Sequence, residues 1–257
     1  MAGVLFLFDS PYLAIQLNAV ALFISAVIIL FLPNLELRNE KLISEKVSMA
    51  IIFNDWKRVV GFSKLHTHIA LVYVLFSGVI VFMSALDSLE AAFATEVLSL
   101  SESTYGFLVS IAGMGMIAGA LINALFTKYL KLNILIGFGA MSTSIGYVIF
   151  AFSSNFILAA IGVFLLTFAL AFANTGFLTF YQNNIPVEMM GRFSSVFSLV
   201  EAFFIILFTA SIGLFAELFE IRQTYILGSM VFLILGVIIN MIVLNKSKRN
   251  YYQEEIG

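Results

Sequence analysis

Residues 156–180 read FILAAIGVFLLTFALAFANTGFLTF, a run of 25 residues that contains no charged side chain. A helix of about 20 apolar residues is long enough to cross the ~30 Å hydrocarbon core of a bilayer. The rest of the chain has the same character, since 61% of its 257 residues are hydrophobic and 11% are charged. A soluble domain has about 25% charged residues. The chain is therefore predicted to be an all-α, polytopic integral membrane protein.

Other stretches of the chain meet the same length and charge criterion, so about seven transmembrane helices are expected. The three prolines fall at the ends of these stretches, where a missing backbone N–H does least harm. The predicted spans are Tyr12–Leu32, Ile69–Leu89, Tyr105–Phe126, Leu132–Phe152, Phe156–Phe180, Phe193–Phe215 and Thr224–Leu244.

Basic residues are distributed unevenly between the two ends of these spans. Twelve of the 13 lysines and arginines fall on one side, and Arg222 is the exception. Lysine and arginine concentrate in cytoplasmic loops, so that side is predicted to be cytoplasmic. The chain is then a multi-pass protein of the cell membrane with a cytoplasmic C-terminus. The twelve residues are Arg38, Lys41, Lys46, Lys57, Arg58, Lys64, Lys128, Lys131, Arg192, Lys246, Lys248 and Arg249.

Four segments follow from this division. Residues 1–33 hold the first span, preceded by Met1–Phe8, which is too short to span and lacks the features of a signal peptide. Residues 34–67 form a cytoplasmic linker, residues 68–246 a six-helix bundle, and residues 247–257 a cytoplasmic tail. Met1–Phe8 is interpreted as the end of a longer apolar segment.

The linker contains an apolar stripe at helical spacing, which predicts an amphipathic helix in the membrane interface. Charged residues occupy its other faces. The pattern is that of an ordinary amphipathic linker, and a specific lipid or protein partner would require more than this pattern. The stripe consists of Met49, Ile52, Phe53, Trp56, Val59 and Val60.

Several classes of function are excluded by composition. There is no cysteine, and the net charge of −2 provides no basic surface for nucleic acid.

His66 and His68 are two positions apart and do not share a helix face, so they are expected to anchor a helix end rather than bind a metal. No HExxH, GxSxG or GxxxxGK[ST] motif is present. No enzymatic activity, metal or cofactor is expected.

Gly115 and Gly119 form a GxxxG motif in the third span. Small residues at this spacing let another helix approach closely. The motif fits a moving or gating interface, but its pattern alone favours static helix packing.

Three ionisable residues are candidates for transport or proton coupling, because charge inside a membrane is costly. Glu201 lies about eight residues into the sixth span, or ~12 Å at 1.5 Å per residue. It is interpreted as a proton-coupling or cation-binding residue, or as a neutral structural glutamate. Asp87 and Glu90 lie near the outer end of the second span. They either line an outward-facing vestibule or are solvated among the lipid headgroups.

The loop after the fifth span, residues 181–196, reads YQNNIPVEMMGRFSSV. It resembles the Q-x-x-[VI]-P-x-E-x-x-G-R-x-x-S loop of the major facilitator superfamily, most of all its macrolide- and drug-efflux branch. Pro186, Glu188, Gly191 and Arg192 match the pattern. Residues 96–115 resemble the family's entry into its eighth helix, and residues 17–26 resemble its sixth helix.

The resemblance implies that the chain corresponds to helices six to twelve of a twelve-helix transporter. Six of the helices then form one half, built as a 3+3 inverted repeat. The implied function is proton-coupled efflux of a lipophilic small molecule, with the bilayer, the substrate and an N-terminal half-transporter as partners. Arg192 is implied to contact carbonyls or carboxylates at the cytoplasmic gate, and Gly191 to permit a turn there.

The sequence departs from the family in the loop after Gly119. Lys128 and Lys131 are present, but the aspartate and glycine of the family's gate motif are missing, so charge-relay gating is not implied at this loop. A second hypothesis is an inactive membrane remnant, or a non-catalytic subunit beside a separate N-terminal half. A seven-helix receptor is disfavoured by the 181–196 loop.

Overall fold

The computed structural model describes residues 11–31, 49–126 and 130–252 of the chain. All regular secondary structure in these ranges is helical, which confirms the predicted class. The described residues also form a π-helical turn at Phe93–Val97 and a 3₁₀ helix at Lys246–Tyr252. The helices are α1 Pro11–Leu30, α2 Met49–Leu65, α3 Thr67–Asp87, α4 Glu90–Ala92, α5 Glu102–Phe126, α6 Leu132–Ala151, α7 Phe156–Asn184, α8 Val187–Leu218 and α9 Ile221–Val243.

Six of the described helices, α3 and α5 to α9, are long and apolar enough to cross a bilayer. They correspond to the second to seventh predicted spans. The first predicted span coincides with α1, whose described side chains, such as Phe23 and Leu30, are exposed. The crossing of the membrane by α1 stays a prediction.

The principal contacts within the bundle repeat with a period of three helices. Helix α7 packs against α5 and α6, α3 packs against α8 and α9, and α6 packs against α9. Helix α3 corresponds to α7, α5 to α8 and α6 to α9. When each helix is exchanged with its counterpart, the same set of packing pairs is obtained. Each repeat has three spans, so the second repeat enters from the opposite face of the bundle from the first. This is the 3+3 inverted repeat that the resemblance implied.

Glycines determine how closely α6 and α7 approach each other. A Cβ atom added to Gly146 would lie 2.6 Å from the backbone nitrogen of Leu166, and one added to Gly162 would lie 2.7 Å from that of Phe150. Neither position has room for a side chain. In lipid, where apolar burial provides little drive for association, such close van der Waals contact holds helices together.

Helix α2 lies at the end of the bundle where α3 and α8 begin. Its Val59 is buried in the core, whereas Phe53 and Trp56 are exposed. The helix packs on the first part of α8 and the start of α3. Helix α2 therefore occupies the stretch in which the amphipathic helix is predicted.

Candidate functional site

An aromatic cluster joins three helices near the start of α3 and α8. The ring of Tyr73 on α3 lies 5.1 Å from Phe177 of α7, and 5.0 and 4.6 Å from Phe193 and Phe197 of α8, between ring centroids. One turn along α3, Phe76 stacks on Phe177 at 4.0 Å. Aromatic pairs of this kind are each worth about 0.5–1.5 kcal/mol beyond the area that they bury. The cluster gives this part of the bundle a rigid, apolar wall.

Glu201 is half-buried on α8, beside this wall. It lies about 21 Å along the helix at 1.5 Å per residue, close to the helix midpoint. Phe197, one turn before it, contacts Tyr73, and Phe208, two turns after it, packs on Phe82 of α3 at 5.0 Å. Tyr73 is also close enough to Glu201 to interact with it electrostatically. Glu201 therefore lies along the seam between α3 and α8, in aromatic surroundings.

The segment predicted as a gate loop is largely helical. Ile185 is extended, Pro186 caps the N-terminus of α8 with a φ of −57°, and Glu188 lies in the first turn of that helix. The expectation that Gly191 permits a turn is wrong, since Gly191 lies within α8 and no described glycine has a positive φ. A proline fits the first turn of a helix because its missing N–H has no partner to lose there.

Arg192 connects the bundle to the linker helix. Its Nε atom lies 2.9 Å from Oδ1 of Asp55 on α2, and the two side chains are 38% and 28% exposed. The resemblance implied contacts of Arg192 with carbonyls or carboxylates, and the structure pairs it with the carboxylate of Asp55. Tyr181 reinforces the same corner, because its hydroxyl donates to the carbonyl oxygen of Met190 at 2.5 Å. Lys128 lies outside the described residues.

Asp87 and Glu90 lie at the opposite end of the bundle from Arg192. The Tyr147 hydroxyl of α6 donates to Oδ1 of Asp87 at 2.5 Å, although Asp87 itself is exposed. The Tyr105 hydroxyl of α5 lies 3.4 Å from Oε1 of Glu90. Two carboxylates from the end of α3 thus meet tyrosines from the two other helices of the same repeat.

Glu90 is positioned just beyond the end of α3, at the start of α4. Burial raises the pKa of its carboxyl to about 7, and the negative charge of Asp87 adds to the rise. A carboxyl group with such a pKa exchanges its proton near neutral pH. Nearby, the guanidinium of Arg222 lies 5.5 Å from the centre of the Phe93 ring.

Gly115 and Gly119 lie on the face of α5 that contacts α7. A Cβ atom on Gly115 would lie 2.6 Å from the carbonyl oxygen of Phe164, and one on Gly119 would lie 2.5 Å from that of Phe168. Further along, Nδ2 of Asn123 donates to the carbonyl oxygen of Ala171 at 3.0 Å. The α5–α7 seam is therefore tight from the motif to the end of α5.

His68 takes part in a contact that its spacing from His66 did not indicate. It is buried, and its Nε2 atom lies 2.8 Å from the hydroxyl of Tyr252 in the 3₁₀ helix. The ring of Tyr252 also stacks on Phe180 at 5.2 Å. Among the described residues, no three His, Asp or Glu side chains are grouped so that they could hold a metal ion.

The sequence is similar to that of a known protein family. The family model described as Major Facilitator Superfamily matches residues 1–209. No curated protein and no solved structure matches the chain.

Proposed function

The chain belongs to the Major Facilitator Superfamily, and we propose that within this family of membrane transporters it serves proton-coupled efflux of lipophilic small molecules. In this proposal it supplies the C-terminal half of the transporter, with one preceding helix. The substrate is held between this half and an N-terminal half. The half-buried carboxylate of Glu201 beside the α3–α8 aromatic seam is the observation that carries the proposal.

A carboxylate in the middle of an apolar helix is costly to keep charged. Burial favours its protonated form, whereas contact with water or a cation favours the ionised form. A conformational change that alternates these two environments therefore binds and releases a proton. Because the surrounding rings of Tyr73, Phe197 and Phe208 are aromatic, the same place suits a lipophilic substrate.

Exposed apolar surface on α5 and α8 supports a second half as partner. Ile117 and Leu125 of α5 are 62% and 74% exposed, and Phe203 and Ile206 of α8 are 63% and 71% exposed. Helices α5 and α8 are equivalent in the two repeats, so the exposed faces are related by the internal symmetry. A six-helix partner bundle and lipid both suit these faces.

The two ends of the bundle are proposed to carry the two gates. At the basic end, the corner formed by Pro186, Glu188 and Arg192 meets the linker through Asp55. At the other end, Asp87 and Glu90 are proposed to attract cations or to accept protons from outside. Closing one end while opening the other is the alternating access that such transporters use.

The test compares Glu201→Gln with Glu217→Gln, an exposed glutamate on the same helix. Each variant is reconstituted in liposomes, alone and beside an N-terminal half-transporter, and efflux of a fluorescent lipophilic dye is driven by a pH gradient. Glu201→Gln is expected to abolish the dependence on the gradient while dye binding remains. Glu217→Gln is expected to behave as the unaltered chain does. Gradient-driven efflux that survives Glu201→Gln would remove Glu201 from the mechanism.

Transport that fails for the unaltered chain in both preparations would favour the second function, that of a non-catalytic subunit or inactive remnant. Stable association with the N-terminal half, measured by co-purification, separates the subunit from the remnant. The exposed faces of α5 and α8 are the surfaces on which such an association depends.

A further inference from the structure

A surface cleft lies where α2, α3 and α8 meet at the basic end of the bundle. Its volume is about 490 Å³, within the range of about 300–1,000 Å³ that is usual for small-molecule sites. Its walls are almost entirely apolar and include Trp56 and Val60 of α2, Leu71 and Val74 of α3, and Phe197 of α8. Trp56, Leu71 and Val74 are exposed, so the cleft opens on the surface.

Three polar side chains line the cleft at the junction of α2 and α3, namely Ser63, Lys64 and the exposed Thr67. Lys64 lines the cleft and is exposed, while the Ser63 hydroxyl lines it and is buried without a hydrogen-bond partner among the described residues. A buried hydroxyl without a partner costs about 1–3 kcal/mol. The cleft therefore offers one cation and one unused hydroxyl beside a long apolar wall.

The charge around the cleft is positive. Within the described residues, Arg192 and Asp55 form the only ion pair, so the one carboxylate on α2 is already neutralised. Lys64 has no carboxylate partner there and is the cation that lines the cleft, whereas Lys57 and Arg58 of the same helix lie outside its lining. Basic side chains near a membrane surface attract anionic lipid, each by about 1 kcal/mol.

We propose that this cleft binds an anionic phospholipid from the surrounding bilayer. An acyl chain lies against Trp56, Leu71 and Val74, and the headgroup phosphate pairs with Lys64. The Ser63 hydroxyl donates to an ester carbonyl oxygen of the lipid. The order of these groups, apolar wall first and then hydroxyl and cation, matches the order of chain, ester and phosphate in a phospholipid.

The amphipathic character of α2 supports a lipid rather than a water-soluble anion. A helix with an apolar face and a basic face lies at the level of the headgroups, its apolar face among the acyl chains. Free phosphate has no apolar part to fill the wall of the cleft. The cleft shares Phe197 with the surroundings of Glu201, but its test measures lipid contact without transport, so its failure and the failure of the proposed function are distinguishable.

Trp56 is the single tryptophan of the chain and lines the cleft, which makes its fluorescence a direct reporter. The chain is reconstituted in phosphatidylcholine bilayers that contain a minor fraction of acyl-brominated phosphatidylglycerol or, at the same fraction, acyl-brominated phosphatidylcholine. Bromine quenches tryptophan on contact. Half-maximal quenching of Trp56 is expected at an about fivefold lower fraction of the brominated phosphatidylglycerol, the factor expected for one basic group.

Lys64→Gln is expected to bring the two lipids to parity. Lys246→Gln, which removes an exposed charge outside the cleft lining, is expected to leave the preference intact. Ala70→Phe places a ring inside the cleft, because Ala70 is part of its wall, and is expected to weaken quenching by both lipids. Helix content and a single elution peak in detergent confirm that each variant is folded.

Equal quenching by the two lipids in the unaltered chain would overturn the proposal. A preference that survives Lys64→Gln, or quenching that Ala70→Phe leaves unchanged, would assign the effect to bulk lipid around the protein and would also overturn the proposal. If neither brominated lipid quenched Trp56, a protein segment would have to cover the cleft. That result would also overturn the proposal. Added free inorganic phosphate is expected to leave the preference for phosphatidylglycerol unchanged. If phosphate abolished that preference, the cleft would be a phosphate site instead.

Discussion

The hydroxyl of Tyr252 lies 2.8 Å from Nε2 of His68, although the two residues are 184 positions apart in the chain. His68 opens α3, and Tyr252 ends the 3₁₀ helix that follows α9. A second bond strengthens the contact, since Nδ2 of Asn184 at the end of α7 donates to the carbonyl oxygen of Tyr251 at 3.0 Å. The segment after α9 therefore joins the start of α3 to the end of α7, the two equivalent helices of the repeats.

Tyr252→Phe is expected to loosen this segment. The change removes the hydroxyl but keeps the ring on Phe180, so the expected loss is about 1 kcal/mol, that of one hydrogen bond. Limited proteolysis is expected to cut the C-terminal segment faster in the variant. Tyr251→Phe is the matched control, because no hydrogen bond is formed by its side-chain hydroxyl within the described residues. Equal proteolysis rates in the two variants would show that the His68 contact does not hold the segment.

Gly119→Ala is expected to destabilise the bundle. The added methyl group would lie 2.5 Å from the carbonyl oxygen of Phe168 and 2.8 Å from the Cβ atom of Ala171, so α5 and α7 must separate. Overpacking of this kind costs about 1–3 kcal/mol. The midpoint of thermal unfolding in detergent micelles is the measurement.

Gly113→Ala provides the control on the same helix. A Cβ atom at Gly113 meets nothing within 4 Å, and alanine has the better helix propensity by about 1 kcal/mol. This variant is expected to be as stable as the unaltered chain or slightly more so. A lower midpoint for Gly113→Ala than for Gly119→Ala would contradict the close approach of α5 and α7.

The sequence predicted those features that depend on neighbouring positions in the chain. Six spans follow from runs of apolar residues, and the close approach at Gly115 and Gly119 is consistent with their local spacing. Helix α8 begins at Val187, before the predicted span at Phe193, because Glu188 and Arg192 are charged and a hydropathy criterion for spans excludes them. Charge marks the membrane boundary, whereas a helix continues through it into water.

Contacts between distant helices could not be predicted in this way. Tyr147 and Asp87 are 60 positions apart, and apolar helices give no sign of which neighbour each one meets. The same applies to Phe76 on Phe177 and to His68 with Tyr252. These pairs depend on the order in which the helices pack, and that order is fixed by shape complementarity at small residues such as Gly146 rather than by any local pattern.

Tyr147→Phe is expected to destabilise the end of α3. The variant loses a hydrogen bond of 2.5 Å to the Asp87 carboxylate. The expected cost is about 1.5 kcal/mol, the lower end for a bond to a charged group, since Asp87 is exposed and water replaces the donor. Tyr105→Phe is expected to cost about 0.5 kcal/mol or less, because its contact with Glu90, at 3.4 Å, is longer than an ordinary O–H···O bond. The reverse order of the two unfolding midpoints would contradict this assignment.

The stability of the bundle is expected to fall as pH rises from about 4.5 to about 7. Burial raises the pKa of Glu90 from 4.5 to about 7 in the folded chain, so the folded state holds a proton that the unfolded state has already lost. The contribution of Glu90 to the free energy of unfolding is fully present below pH 4.5 and is lost by pH 7. The free energy of unfolding therefore differs by at most about 3 kcal/mol between these two pH values. Glu90→Gln is expected to flatten the dependence of the unfolding midpoint on pH in this window. Glu102→Gln, an exposed control at the start of α5, is expected to retain the dependence, and a slope that persists in Glu90→Gln would assign it to another group.

The ion pair between Arg192 and Asp55 is expected to matter for transport far more than for stability. The side chains are 38% and 28% exposed, and exposed pairs contribute about 0–1 kcal/mol. In a double-mutant cycle with Arg192→Gln and Asp55→Asn, the coupling energy from unfolding midpoints is therefore expected to stay below about 1 kcal/mol.

If the pair closes the basic end during the transport cycle, each single change slows dye efflux, and the exchange Arg192→Asp with Asp55→Arg restores part of the rate. Lys131→Gln, at the same end but outside the pair, is expected to leave the rate unchanged. Efflux that is slowed by the single changes and not recovered by the exchange would mean that Arg192 acts through a group other than Asp55.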